Sequence, residues 1–247
     1  MAIWSDIGAD AREFERSDYG QVRVSKHGLP LEMIGGTPVL PGSPPWRLQA
    51  VGKRFLDVTL SAMALVVLTP LLLVVAVAIK LSSPGAVLFR QQRHGKDGVP
   101  FELYKFRSLC NEVADPSGVQ QVLPSDPRVT RVGRVIRATS LDELPQLFNI
   151  LRGDMSIIGP RPHPIGMLAG GVPYETLVPY YHRRHAVKPG LSGWAQVNGL
   201  RGPTVDPVVA RERIDHDIAY IQNQSLLLDI KIVLLTLQRQ FLTGSGV

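Results

Sequence analysis

Between Val58 and Ile79 the chain reads VTLSAMALVVLTPLLLVVAVAI, 22 residues without a charge. As a helix this run is about 33 Å long, enough to cross a hydrocarbon core of roughly 30 Å. A helix apolar on every side, and this long, is poorly suited to a soluble core, so the segment predicts a membrane element. Whether it spans or dips in and returns depends on its flanks and on Pro70. Arg47, Lys53 and Arg54 precede it, and Lys80, Arg90, Arg93 and Lys96 follow it. A spanning helix concentrates Lys and Arg on its cytoplasmic side, whereas a re-entrant one keeps both basic flanks against the same anionic leaflet. Pro70 removes a backbone donor in mid-segment, and the hydroxyl of Thr69 can serve a freed carbonyl. The charges favour re-entry, and length alone leaves spanning open.

This segment divides the 247 residues into three parts. Residues 1–50 form an N-terminal extension or linker, dense in Gly and Pro through HGLPLEMIGGTPVLPGSPPWR and holding at most one short strand. Residues 51–81 form the membrane helix, and residues 82–247 a body that is mainly α with one small β-hairpin. The hairpin is read from VLFRQQRHGKDGVPFELYKFRSL, two strand-like runs around a glycine-containing turn. Helices are expected over RVTRVGRVIRATS, LDELPQLFNILRG and ETLVPYYHRRH, with a long final one from Arg211 to Phe241. In SLLLDIKIVLLTLQRQFL, residues 225–242, the apolar residues are too crowded for a clean amphipathic face, which favours core burial over docking on a membrane surface.

Lys and Arg outnumber Asp and Glu by 27 to 21, a net charge of +6 that favours anionic partners. Nucleic acid is disfavoured, because aromatics are only 6% of the chain and no nucleic-acid-binding motif is present. The single cysteine, Cys110, excludes an internal disulfide and a cysteine-based zinc site. His163, His182 and His185 lack metal-ligand spacing. At the entrance to the apolar segment, KRFLD sets Lys53 and Arg54 four and three residues before Asp57, within reach of an ion pair on one helix face or of a fixed structural role.

Chemistry concentrates in SLDELPQLFNILRGDMSIIGPRP, residues 140–162. Ser140 with Glu143 fits a capping box, so a helix is expected to begin at Leu141 with acidic residues in its first turn. The second reading of Asp142 and Glu143 is a catalytic pair. Arg131, Arg134 and Arg137 lie just upstream, and the stiff Gly159-Pro160-Arg161-Pro162 turn presents a guanidinium downstream. Carboxylates among arginines at a helix start suit a phosphate-and-metal site, with Asp142 kept ionised as a nucleophile and Glu143 available to Mg2+.

The ordered motifs together resemble one family, the bacterial sugar transferases, monotopic phosphoglycosyl transferases acting on polyprenyl phosphates. KRFLD, the apolar segment with its proline, SSPGAVLFRQQRHGKDGVPFELYKFRSL, the dyad stretch, RRHAVKPGLSGWAQVNGLRG and DIAYIQNQSLLLDIKIVLLTL carry the resemblance from about Lys53 to Phe241. It implies a re-entrant helix broken at Thr69-Pro70, where a Ser-Pro pair is common, and a catalytic domain on the cytoplasmic face of the bacterial inner membrane. The implied reaction moves a sugar-1-phosphate, a hexose such as glucose or galactose, from a UDP-sugar to undecaprenyl phosphate with Mg2+. UMP is the by-product, and the lipid-linked sugar begins an exopolysaccharide, capsule or O-antigen repeat. On this mapping Asp142 is the nucleophile that becomes a phosphosugar adduct, Glu143 the Mg2+ ligand and Arg137 the phosphate-binding arginine. Lys105, Arg107 and Arg161 match basic positions assigned to phosphate or nucleotide, and Asp217 an acidic position with a structural or metal-related role. Membrane lipids are implied partners, and members often form homodimers. The competing reading is a non-catalytic membrane-anchored scaffold, which has no need of dyad and arginines together.

Overall fold

The structure, a computed structural model, describes residues 20–24, 29–34, 37–38, 40, 46–110, 122 and 126–243. Three short strands, β1 (Gly20–Val24), β2 (Leu29–Ile34) and β3 (Thr37–Pro38), form an antiparallel sheet where the sequence promised at most one strand. Helix α1 then runs from Trp46 to Ser82, starting five residues before the expected membrane segment. It is the one described helix long and apolar enough to cross a membrane. Pro70 lies inside it without interrupting it, so the expected break is not a break in the helix. The hydroxyl of Thr69 donates to Leu65 O at 2.6 Å, as anticipated for a residue beside a proline.

One stripe of α1 is buried along the apolar run: Asp57, Ser61, Leu65, Val75 and Ile79, with Leu72 half-buried between them. The opposite face, including Val66 at 76% and Val67 at 73% exposure, is bare hydrocarbon. Beneath the stripe lie β4 (Leu88–His94) and β5 (Pro100–Phe106), the predicted hairpin, joined by a tight turn at Lys96–Gly98. Next come α2 (Arg131–Ala138) and α3 (Gln146–Arg152). Leu65 packs with Leu103, Leu147, Ile150 and Met155, and Val75 and Ile79 pack with Phe106 and Ile136. One stripe of the helix therefore belongs to the body's core, and most of its apolar surface does not.

KRFLD does not form pairs within itself. Lys53 reaches Asp229 at 2.7 Å and Ile158 O at 2.9 Å. Arg54 donates to Ile150 O and Leu151 O, closing the carbonyl end of α3. Asp57 accepts from Ser156 Oγ and Ile157 N at 3.0 and 2.9 Å. The motif bolts the start of α1 to the body, the fixed role of the two that the spacing allowed.

The rest surrounds a second core. Strand β6 (Ser156–Ile158) pairs in parallel with β9 (Gly190–Ser192), and Gly159 passes so near Lys188 O that a Cβ there would overlap it. Between them lie the two-residue strands β7 (Leu168–Ala169) and β8 (Val172–Pro173) and the short α4 (Tyr174–Leu177). After β9 come α5 (Trp194–Val197), α6 (Pro207–Gln222) and α7 (Leu226–Thr243). The long terminal helix is thus two helices, separated at Asn223, whose side chain turns back onto Ala219 O. Trp194, Tyr174, Tyr181, Ile214, Ile218 and Ile232 form the centre of this core. The YYHRRH run is a 3-10 turn with Tyr181, Arg184 and His185 buried, so it is not a solvated basic face. In α7, Leu228 and Ile232 are buried while Leu227, Ile230, Leu234 and Leu237 form an exposed apolar stripe, so this helix has both faces the sequence left in contention.

Candidate active site

The dyad does not begin an α-helix. Leu141–Glu143 is a single 3-10 turn, and α3 starts only at Gln146. Pro145 explains the shift. A helix begun at Leu141 would need the amide of residue 145 to bond Leu141 O, and proline has none. Leu144 N bonds Leu141 O instead, at 3.2 Å. Ser140 adopts a left-handed conformation (φ 56°) and makes no side-chain cap, so the capping box is absent.

This turn sends the two carboxylates to different surroundings. Glu143 is fully engaged: Oε1 accepts from Lys105 Nζ at 2.8 Å and from Arg161 Nη2, and Oε2 accepts from Arg161 Nη1 at 3.0 Å. Burial would raise its carboxyl, but Arg161 and then Lys105 outweigh burial and hold it well below the usual range. Asp142 is buried, at 6% exposure, yet makes no hydrogen bond or ion pair among the described residues. Burial pushes its carboxyl up; Lys105, Arg137 and Arg161 pull the other way, and the charge on Glu143 adds to the rise. The cations expected to keep Asp142 ionised are thus present around it, and burial acts against them.

Both carboxylates line a cavity of about 260 Å3, and the wall around them is basic. Lys105 comes from the end of β5, Arg137 from the last turn of α2 and Arg161 from the loop after β6, three of the predicted positions in one place. Arg131 and Arg134 point outward from α2. Arg107 also borders the cavity, but its guanidinium is bound to Ser83 O at 2.7 Å, Ile79 O at 3.4 Å and Pro84 O, closing the end of α1. Its Nη1 and Nη2 are thus engaged by backbone carbonyls, whereas a phosphate or nucleotide contact was expected of it. Asp217 lies behind the wall. It accepts from Arg184 Nε and Nη2 at 3.0 and 2.7 Å, and Arg184 also donates to Arg161 O at 2.6 Å.

Four further arginines line the cavity: Arg93, Arg128, Arg201 and Arg213. Arg93 donates to Pro162 O at 2.8 Å and pairs with Gln91, and burial followed by Arg161 pushes its guanidinium down. Strand alternation carried a signal for it, since Phe89, Gln91 and Arg93 fall on one face of β4 and all three line the cavity. Arg201 and Arg213 had no such local signal, because loop and helix bring them in from afar.

Mg2+ favours one or two carboxylates completed by water and phosphate oxygens. Asp142 fits that description, with a carboxylate uncommitted and facing the cavity. Glu143 does not in this arrangement, because both oxygens already neutralise cations. Among the described residues no cluster of three or more His, Cys, Asp or Glu could hold a metal alone. The arrangement suits an anionic ligand bearing several phosphate oxygens beside one free carboxylate.

Residues 48–243 match the family model described as bacterial sugar transferase. The chain is 51% identical to the exopolysaccharide production protein PSS of Rhizobium leguminosarum bv. phaseoli over 81% of its own length and 100% of that protein. It is 45% identical to the UDP-glucose:undecaprenyl-phosphate glucose-1-phosphate transferase of Escherichia coli (strain K12), over 87% of its own length and 46% of that protein. An Aeromonas hydrophila relative, a UDP-N-acetylgalactosamine-undecaprenyl-phosphate N-acetylgalactosaminephosphotransferase, is 46% identical over 82% of this chain and 46% of its own. The chain thus spans the whole of one relative and less than half of the other two.

Proposed function

The chain belongs to the bacterial sugar transferase family, and from that premise we propose that it transfers a sugar-1-phosphate from a UDP-sugar to undecaprenyl phosphate. The observation that carries this reading is the unequal dyad. Asp142 is a free carboxylate in a cation-lined cavity, and Glu143 is spent holding two of the cations in place.

In the first step an Asp142 oxygen attacks the phosphorus that bears the sugar. The bond from that phosphorus to the bridging oxygen breaks, and UMP departs with the electron pair. In the second step a phosphate oxygen of the lipid attacks the same phosphorus, and the Asp142 carboxylate leaves, giving undecaprenyl-diphosphate-sugar. Covalent catalysis divides one exchange between two bulky anions into two displacements. Lys105, Arg137 and Arg161 lie where they would offset charge on the transferring phosphoryl group, and Glu143 holds Lys105 and Arg161 at fixed spacing. Mg2+, held by Asp142 and the donor's phosphate oxygens, would supply further neutralisation of that charge.

Our reading of α1 is monotopic and re-entrant, the return made by a bend at Pro70 within the continuous helix, with the body on the cytoplasmic face of the inner membrane. Its support is the stripe from Asp57 to Ile79, packed on the body over the whole apolar run. A helix crossing a bilayer alone would have to leave that body behind. The exposed stripe of α7 offers a second apolar surface to the same lipid, or to a second copy in a homodimer.

Glucose is the sugar we favour, from the relative whose name carries it; the N-acetylgalactosamine relative at 46% identity makes the acetamido sugars the main competitor. A panel of UDP-sugars with purified protein, Mg2+ and undecaprenyl phosphate should release UMP fastest with UDP-glucose. Absence of UMP with every donor, from folded protein, would reject the reaction itself. The product would then begin a repeat of an exopolysaccharide, capsule or O-antigen.

A further inference from the structure

A second cavity lies by the carbonyl end of α3, where its lining residue Arg54 binds Ile150 O and Leu151 O. This cavity has a volume of about 500 Å3 and shares no lining residue with the first. The start of α1, the end of α6, the start of α7 and the segment entering β9 enclose it.

Its charges do not balance. Lys53 is neutralised by Asp229, and Asp57 is occupied by Ser156 Oγ and Ile157 N. The Arg54 guanidinium has only the carbonyls of Ile150 and Leu151 as partners, while the Lys96 and Lys188 ammonium groups have no hydrogen bond or ion pair among the described residues. The Arg54 guanidinium and the Lys188 ammonium converge on one gap. A Cβ placed on Gly153 would meet Arg54 Nη2 at 3.6 Å and Lys188 Nζ at 3.7 Å. Gly153 closes α3 with a φ of 102°, so a side chain is disfavoured there and the gap stays open. Burial, then Arg54, pushes the Lys188 ammonium down, with Lys96 adding to this; Asp57 and Asp154 oppose it without cancelling it. Four cations against the two carboxylates of Asp57 and Asp229, with the Lys96 and Lys188 ammonium groups unpaired among the described residues, leave an excess of positive charge that favours an anion.

The other walls are hydrocarbon, from Leu40, Ala50, Val187, Ile221 and Leu226. Next to Ala50 and Leu226 in the chain, Val51 at the start of α1 and Leu227 at the start of α7 are exposed at 70% and 81%. Cations on one side and open apolar surface on the other suit a ligand with both characters.

We propose that this cavity binds a phosphoryl anion carrying an apolar group, its phosphate between Arg54, Lys96 and Lys188 and its apolar part against Val187, Ile221 and Leu226. The phosphate could belong to a lipid headgroup or be free in solution, and the test separates the two. Thermal unfolding of the full chain in uncharged detergent micelles is followed with dioctanoyl phosphatidic acid, with dioctanoyl phosphatidylcholine and with inorganic phosphate. Phosphatidic acid should raise the melting temperature saturably, and Lys188→Glu should raise the half-saturating concentration about tenfold or more. Phosphatidylcholine, whose choline offsets the charge, should have little effect. If inorganic phosphate alone reproduces the shift with the same dependence on Lys188, the ligand is free phosphate and the apolar half of the proposal fails. Lys96→Glu and Lys188→Met serve as second variants should Lys188→Glu fail to fold. No shift in the parent protein, or a shift untouched in all folded variants, overturns the site.

Discussion

Arg184 donates two hydrogen bonds to Asp217 Oδ2, at 3.0 and 2.7 Å, with both side chains no more than 2% exposed. The same guanidinium holds Arg161 O, so a buried ion pair positions the backbone of a residue that lines the dyad cavity. Breaking such a pair leaves a buried charge uncompensated, at a cost of about 3–5 kcal/mol. Asp217→Asn should therefore lower the melting temperature sharply and weaken UMP release. The double variant Arg184→Met/Asp217→Leu should be more stable than either single change, as a double-mutant cycle by thermal unfolding will read.

Glu143 binds Lys105 and Arg161 at once, and Glu143→Gln removes the charge while keeping the shape. Turnover should fall by about 100-fold or more, the scale of losing a positioned electrostatic group. The pH dependence of stability carries a sign. The folded carboxyl is depressed, so its contribution is fully present above the unfolded value of about 4.3 and is lost as pH falls through the folded value. Urea unfolding of parent and variant should converge in that acid window and differ above it.

Asp142 gives the opposite displacement, since burial raises its carboxyl. The nucleophile is the ionised form, so kcat/KM should climb with pH through a limb above the ordinary aspartate value of about 3.9. Lys105→Met removes the largest force opposing that rise and should carry the limb to higher pH. A limb at or below the ordinary value would contradict the burial argument.

Arg107 and Arg137 should separate by their effects. Arg107 holds three carbonyls at the end of α1, and Arg107→Ala leaves buried acceptors unmet at about 1–3 kcal/mol each. Its mark should be a lower melting temperature, with KM for the donor little changed. Arg137→Ala should do the reverse, raising KM at nearly constant stability.

Local features of the chain were legible where one element determines them. The uncharged run from Val58 to Ile79 specifies a long apolar helix, and HGKDG between alternating strands specifies the hairpin. The dyad and two of its cations, Arg137 and Arg161, were legible because they lie within 25 residues of one another and the ordered motifs surround them. The capping box misled, because its pattern ignores the amide missing at Pro145. Partner choice over long separations was not legible. Lys53 could have met Asp57 by spacing alone, and the fold gives it Asp229 instead. Arg107 occupies a motif position beside the site, yet only the course of α1 decides that its guanidinium faces carbonyls rather than ligand.

The central claim concerns one carboxylate, and intact-mass measurement tests it directly. Protein incubated with UDP-glucose and Mg2+, without lipid acceptor, should gain the mass of a hexose phosphate on a peptide containing Asp142, and undecaprenyl phosphate should then discharge it. Asp142→Asn should gain nothing and release no UMP. An adduct on any other residue, or turnover retained by the folded Asp142→Asn protein, would contradict the account.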